Sequence, residues 1–142
     1  MTNDREAGGM TPPVRPQPRV LLAEDYGPLL VALRRLLAPS CDVVGSFTDG
    51  PAVVDAATRL RPDVIVLDLN LPTMNGLEAC RRIKETLPLC KVVLITAADD
   101  EALRERAFEV GAFAFVLKHR IADDLGPIVQ SAFLGGTAPH AG

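Results

Sequence analysis

Five short runs rich in Val, Ile, Leu and Phe most restrict how this chain can fold. None shows the alternation of polar and apolar side chains that is typical of a half-exposed strand. Such runs predict strands that are buried on both faces, as in a parallel sheet between two layers of helices. The five runs are residues 19–24, 42–47, 63–68, 91–96 and 114–118.

Segments with helical periodicity lie between and after these runs. The third, from Gly76 to Leu87, places its apolar residues on one side, and the fifth ends at Gly135-Gly136. In that fifth helix Pro127 is tolerated only in the first turn, which a start near Asp123 or Asp124 would nearly provide. Five strands alternating with five helices predict a single α/β domain whose parallel sheet is covered on both faces.

The composition is that of one globular domain. The chain has 142 residues, of which 48% are hydrophobic and 23% charged, and its net charge is -3, which predicts no basic face for nucleic acid. The three cysteines are not spaced as CxxC, so we predict buried thiols in a reducing compartment. Without an apolar run of membrane-spanning length or a signal peptide, we expect a soluble cytoplasmic domain.

The two ends of the chain differ from its middle. Residues 1–18 are rich in Gly and Pro and lack periodicity, so we predict a disordered lead-in. Residues 19–136 are the predicted domain, and residues 137–142 are a tail too short for another one.

Polar residues end four of the five predicted strands. The first ends in Glu24-Asp25, the third in Asp68, the fourth in Thr96 and the fifth in Lys118. Taken singly, each has an ordinary explanation as a cap, loop or surface residue. Parallel strands, however, present their carboxyl ends at one edge, where open α/β sheets bind ligands. Together the residues therefore predict a common site.

The residue types at this edge indicate a chemistry. Crowded carboxylates raise one another's pKa unless a cation neutralises them, and oxygen ligands of this kind suit Mg²⁺. A lysine supplies a point charge for an anion, and a threonine hydroxyl supplies a hydrogen-bond donor. The pattern predicts a phosphoryl-transfer centre with Asp68 as the nucleophile.

These residues lie in motifs that resemble the receiver domain of bacterial two-component response regulators, most of all receivers that precede a LuxR-type helix-turn-helix domain. The motifs are LLAED (21–25), PDVIVLDLNLPTMNGLEACRRIK (62–84), VVLITA (92–97) and AFVLK (114–118). The resemblance implies a flavodoxin-like (βα)5 fold, doubly wound, with five parallel strands in the order 2-1-3-4-5. No output domain is present, and we prefer a single-domain regulator to a fragment of a longer one.

The resemblance also implies roles for single residues. A histidine kinase or phosphotransfer protein would phosphorylate Asp68. Asp25 would bind Mg²⁺ directly, Glu24 would help through water, and Asn70 would offer its backbone carbonyl. His119 stands where many receivers have proline, which leaves open whether the preceding peptide bond is cis.

Further residues would couple phosphorylation to a response. Thr96 and Lys118 would contact phosphoryl oxygens, and Phe115 would be the aromatic whose rotamer reports activation. The changed face would comprise the fourth helix, fifth strand and fifth helix, and would control a downstream protein or a lost output domain. A homodimer that forms on phosphorylation fits the same resemblance. Tyr26, after the acidic pair, could partly cover the site.

Three alternatives carry different functions. A dehalogenase-type phosphatase also has an Asp nucleophile after a strand, but it needs Asp and Thr where Asn70 and Pro72 stand. A receiver-like interaction module regulated by binding alone would lack site residues, and none is missing. Nucleotide binding requires a glycine pattern that the first loop lacks. We therefore expect a phosphoacceptor signalling domain that is not an enzyme.

Overall fold

The computed structural model describes residues 17–136. The predicted lead-in falls mostly on residues 1–16, which lie outside the described residues, as does the tail 137–142. Pro18, directly before the first strand, is tied to the sheet because its carbonyl accepts a hydrogen bond from the Asp42 amide at 2.9 Å. The strands are β1 (Arg19–Ala23), β2 (Asp42–Phe47), β3 (Val64–Asp68), β4 (Lys91–Thr96) and β5 (Ala114–Leu117). The α-helices are α1 (Gly27–Leu37), α2 (Gly50–Leu60), α3 (Gly76–Thr86), α4 (Glu101–Glu109) and α5 (Ile121–Phe133).

The strands form one parallel sheet in the order β2-β1-β3-β4-β5. This order confirms the predicted doubly wound fold. The chain runs outward from β1 to β2 and then returns past β1 to β3, so the direction of winding reverses between β1 and β3. The carboxyl ends of these two central strands therefore border the crevice in which such sheets bind ligands.

Both faces of the sheet are covered, which explains why the strands lack polar alternation. Leu21 and Ile65 pack in one cluster with residues of α2, α3 and α4. Val20 and Val64, their immediate neighbours in the chain, pack in a second cluster with residues of α1 and α5. All five residues of β3 are buried, so the strand leads directly from the core to Asp68 at its end.

The loops after β2 and β3 end in helix caps that the sequence indicates. Asp49 caps α2, since its Oδ1 accepts a hydrogen bond from the Ala52 amide at 2.8 Å. Asn75 caps α3 in the same way, accepting from the Glu78 amide at 2.9 Å. These caps turn the chain away from the carboxyl edge and leave that edge open.

Helix α5 begins earlier than its sequence suggests. A 3₁₀ turn over Lys118–Arg120 leads straight into the helix at Ile121, so Pro127 lies in the interior and not in the first turn. The predicted start near Asp123 or Asp124 is wrong. Because Pro127 has no N–H, the Asp123 carbonyl lacks its helical donor. Both residues are exposed, so water can satisfy that carbonyl.

The remaining sequence expectations concern the backbone and the thiols. No peptide bond among residues 17–136 is cis, so the bond before His119 is trans. Cys41, Cys80 and Cys90 are free and buried, and burial raises the pKa of Cys80 and of Cys90 to about 12. Within the described range no helix has the length and apolarity needed to span a bilayer.

Thr73, in the loop between β3 and α3, has φ of 71°, a conformation that β-branched residues rarely adopt. We expect Thr73→Gly to raise the free energy of unfolding by about 0.5–1 kcal/mol, because removing the Cβ strain outweighs the entropy cost of glycine. Urea denaturation is the measurement, and Thr73→Ala is the control because it keeps a Cβ. A glycine variant no more stable than the alanine variant would show that the loop is unstrained.

Candidate functional site

The carboxyl edge of the sheet brings the predicted residues together. Glu24 and Asp25 follow β1, Asp68 ends β3, and carboxylate oxygens of all three lie within 4.8 Å of one another. Thr96 ends the neighbouring strand β4, and Lys118 directly follows β5. Three polar or charged residues are buried in the described part of the chain, and each is at most 1% exposed: Glu24, Asp68 and Thr96.

Lys118 bridges two of the buried carboxylates. Its Nζ lies 2.9 Å from Oδ2 of Asp68 and 3.2 Å from Oε1 of Glu24. Burial alone would lower the pKa of Lys118, but its hydrogen bond to Asp68 and the negative charges of Asp68 and Glu24 outweigh burial and raise that pKa. The lysine is therefore held in its charged form between the two acids.

Glu24 is the least satisfied member of the cluster. Its Oε2 accepts a hydrogen bond from the Tyr26 amide at 3.0 Å, whereas its buried Oε1 has no hydrogen bond and only the ion pair with Lys118. Burial is the largest cause that raises the pKa of Glu24, and the charge of Asp68 raises it further. A buried oxygen without a hydrogen bond, facing other carboxylates, is a site for a cation.

The residues present fit Mg²⁺. The three carboxylates carry three negative charges and the Lys118 ammonium carries one positive charge, so the formal net charge of the cluster is -2. One divalent cation would neutralise it. The donors are oxygens, as Mg²⁺ prefers, and Asp25 is exposed, so the cluster is open to solvent on one side. The Asn70 amide donates to Oδ1 of Asp68 at 3.0 Å, while the role predicted for its carbonyl stays a prediction.

Thr96 sits beside Asp68 because β3 and β4 pair in register. Asp68 is opposite Ile95, so Thr96 lies one residue beyond it at the same edge. Its Oγ1 accepts a hydrogen bond from the Ala98 amide at 3.1 Å, which leaves the hydroxyl proton available for donation. The threonine can therefore donate to an anion bound next to Asp68.

The region around Phe115 contains a residue that sequence reasoning missed. Phe115 is only 7% exposed, and the Arg104 guanidinium of α4 lies 5.4 Å from the centre of its ring. On the helical pattern of α4, Arg104 looks like a solvated polar residue, so no sequence signal identifies this contact. Tyr26 is 64% exposed, and its contact with the acidic cluster is made by its backbone amide.

Neutralising Glu24 tests the electrostatic strain of the cluster. In the presence of a chelator, we expect Glu24→Gln to stabilise the protein by roughly 1 kcal/mol at neutral pH, at the cost of Mg²⁺ affinity. The folded-state pKa of Glu24 is raised above 4.5, so its stabilising contribution is present below that pH and is lost as the pH rises. The gap between variant and parent should therefore widen above pH 4.5, as thermal melts across pH can measure. A parent that stays the more stable of the two at every pH would contradict this.

Comparison with known proteins identifies the family. The family model described as the response regulator receiver domain matches residues 20–130. The chain belongs to the response regulator receiver family. Among solved structures, this receiver domain superimposes on the signal receiver domain of the putative response regulator NarL from Mycobacterium tuberculosis with a TM-score of 0.78 and 30% identity. The match covers 85% of this chain and 99% of that one.

The similar full-length proteins are longer than this receiver domain. The transcriptional regulatory protein DegU of Brevibacillus brevis is 32% identical over 124 residues, covering 86% of this chain and 52% of DegU. The transcriptional regulatory protein LnrK of Bacillus subtilis is 30% identical, covering 83% of this chain and 54% of LnrK. The chain thus spans about half the length of these relatives.

Proposed function

We propose that this receiver domain is a phosphorelay switch that accepts a phosphoryl group on Asp68 from a histidine kinase or phosphotransfer protein in an Mg²⁺-dependent reaction. The observation that carries the proposal is the position of the Asp68 carboxylate. It is buried at the end of a core strand, with Asn70 donating to one oxygen and Lys118 to the other. Glu24 and Asp25 lie within 4.8 Å of it on the same edge.

The transfer is an in-line displacement at phosphorus. An Asp68 oxygen forms the new P–O bond while the P–N bond to the partner's phosphohistidine breaks, and the imidazole leaves with the electron pair of that bond. Glu24, Asp25 and Asp68 would hold Mg²⁺, together with the backbone carbonyl of Asn70. The ion, when bound, offsets negative charge on the carboxylates and on the incoming phosphoryl group.

Lys118 and Thr96 have complementary tasks in this proposal. Lys118 now pairs with Asp68 and Glu24, and its ammonium can follow the charge to a phosphoryl oxygen. Thr96 can donate its hydroxyl proton to a second oxygen. The resulting shift of Thr96 is coupled to Phe115, so that the surface formed by α4, β5 and α5 differs between the two states.

A phosphorylation assay tests the proposal. The protein is incubated with acetyl phosphate and Mg²⁺, and intact mass spectrometry follows the appearance of a single added phosphoryl group. We expect labelling that disappears with a chelator, and phosphotransfer profiling against histidine kinases then identifies the donor. Absence of labelling by every donor would favour the alternative of an interaction module regulated by binding alone. Multiple turnover of the phosphodonor at enzymatic rates would favour the phosphatase.

What the phosphorylated domain controls is proposed by analogy with the longer relatives DegU and LnrK. DegU and LnrK are named as transcriptional regulatory proteins, and about half of each lies outside the match. This receiver domain would control either such an output segment or a separate protein. The same switch could also act by forming a homodimer when Asp68 is phosphorylated. Light scattering before and after phosphorylation would detect the dimer.

A further inference from the structure

The groove between α4 and α5, floored by β5, holds an arginine in an unusual environment. This α4–α5 groove has a volume of about 530 Å³, and its lining includes Arg104, Phe115, Arg120, Asp124, Pro127 and Ile128. The Nη1 atom of Arg104 is buried and has no hydrogen-bond acceptor. A buried guanidinium nitrogen without an acceptor is costly, so another contact must hold the side chain in place.

The face of the Phe115 ring supplies that contact. The Arg104 guanidinium lies 5.4 Å from the ring centre, which is within the range of a cation–π interaction. The two acids of the groove do not compete for it, because Asp123 and Asp124 pair with Arg120 at 3.5 Å and 3.0 Å. In the part of the chain that the structure describes, no ion pair joins Arg104 to a carboxylate.

We infer that Arg104 is a positioning residue that holds the Phe115 ring in its buried position and thereby favours the phosphoryl-bound state at Asp68. The inference rests on the proposed function. Phe115 follows Ala114 on β5, and Thr96 is opposite Leu117 on the same strand, so ring and hydroxyl belong to one strand pair. If the ring moves outward, the Arg104 guanidinium loses its contact with the ring, and the open groove gives both side chains room to move.

Thermodynamic linkage makes this inference quantitative. If a phosphate mimic at Asp68 favours the buried ring, then whatever favours the buried ring must raise the affinity for the mimic, by at most the factor by which it shifts the ring equilibrium. A partly desolvated cation–π pair corresponds to about fivefold in that equilibrium, or about 1 kcal/mol. Removing the charge of Arg104 should therefore weaken binding at a site that it does not touch.

The experiment combines two readouts on the intact protein labelled with 4-fluorophenylalanine. Its five phenylalanines give resolvable fluorine signals, and a Phe115→Leu variant assigns the relevant one. Beryllofluoride with Mg²⁺ is the probe for the phosphoryl site. We expect Arg104→Met, which keeps the length of the side chain, to weaken beryllofluoride binding by up to about fivefold and to move the Phe115 signal toward that of an exposed ring.

Matched variants separate this role from a general effect of charge. Arg104→Lys, which keeps a cation near the ring, should recover affinity and signal, and Arg106→Met on the exposed side of α4 should behave as the parent. Equal behaviour of Arg104→Met and Arg106→Met would overturn the inference. So would weaker binding with an unmoved Phe115 signal. If the parent binds no beryllofluoride, the proposed function itself fails.

Discussion

Asp68→Asn is expected to lower phosphoryl incorporation at least about 100-fold, to the detection limit of the assay, because the amide lacks the nucleophilic oxygen. The substitution preserves the shape of the side chain, and its amide oxygen can still accept the hydrogen bond from the Asn70 N–H. It also removes one negative charge from a crowded cluster, so the variant should fold at least as well as the parent. Mass spectrometry after incubation with acetyl phosphate and Mg²⁺ gives the incorporation.

The control for this variant is Asp100→Asn. Asp100 caps α4 near the same edge of the sheet, and its Oδ1 accepts from the Ala102 amide at 2.9 Å. Asparagine caps helices as well as aspartate does, so this variant should keep both stability and labelling. If Asp68→Asn is labelled to the same extent as Asp100→Asn, then Asp68 is not the acceptor.

Gly76→Ala is expected to lower the free energy of unfolding by about 3 kcal/mol, because α3 begins against the backbone that carries Asp68. A Cβ at Gly76 would lie 2.5 Å from the carbonyl oxygen of Asp68 and 2.7 Å from the Cα of Leu69. Both are backbone atoms of the end of β3, so they cannot move as a flexible side chain would. Thermal unfolding should show a melting temperature lower by roughly 10 °C or more.

Gly76→Ala should also move the backbone that carries Asp68. This second effect distinguishes the variant from one that only destabilises the hydrophobic core. Any retreat of α3 or of β3 shifts the Asp68 carbonyl, so phosphoryl incorporation should fall even well below the melting temperature. Gly27→Ala is the control, since Gly27 is likewise the first residue of its helix but has no atom near its would-be Cβ. Equal melting temperatures for the two variants would show that the space at Gly76 is larger than the structure indicates.

The sequence predicts the fold well where one physical pattern dominates. The strands of this sheet are buried on both faces, so their apolar runs stand out, and predicted and observed boundaries differ by at most one residue. The order of the strands came from the resemblance and is confirmed. The start of helix α5 is not predictable in the same way, because the 3₁₀ turn over Lys118–Arg120 has no distinct sequence pattern and Pro127 favours a later start than the one observed.

The candidate site was predictable in its membership but not in its contacts. Polar residues at strand ends are visible in the sequence, and parallel pairing brings them to one edge. Two features of the site depend on side-chain positions, which the sequence does not reveal. Lys118 bridges Asp68 and Glu24, and Glu24 keeps a buried oxygen without a hydrogen bond. Arg104 shows the same limit, since a single arginine in a polar helix pattern does not reveal which ring it covers.

The ion pair at the centre of the site also has a consequence for biosynthesis. Asp68 and Lys118 are 50 positions apart in the chain, and Lys118 follows β5, the last strand in chain order. Parallel strands need long crossovers, which gives the domain a high contact order, and such contacts form late in folding. A nascent chain on the ribosome therefore exposes Asp68 well before it can hold the lysine beside it. We expect such a nascent chain not to react with phosphodonors, so that only the completely folded domain accepts a phosphoryl group.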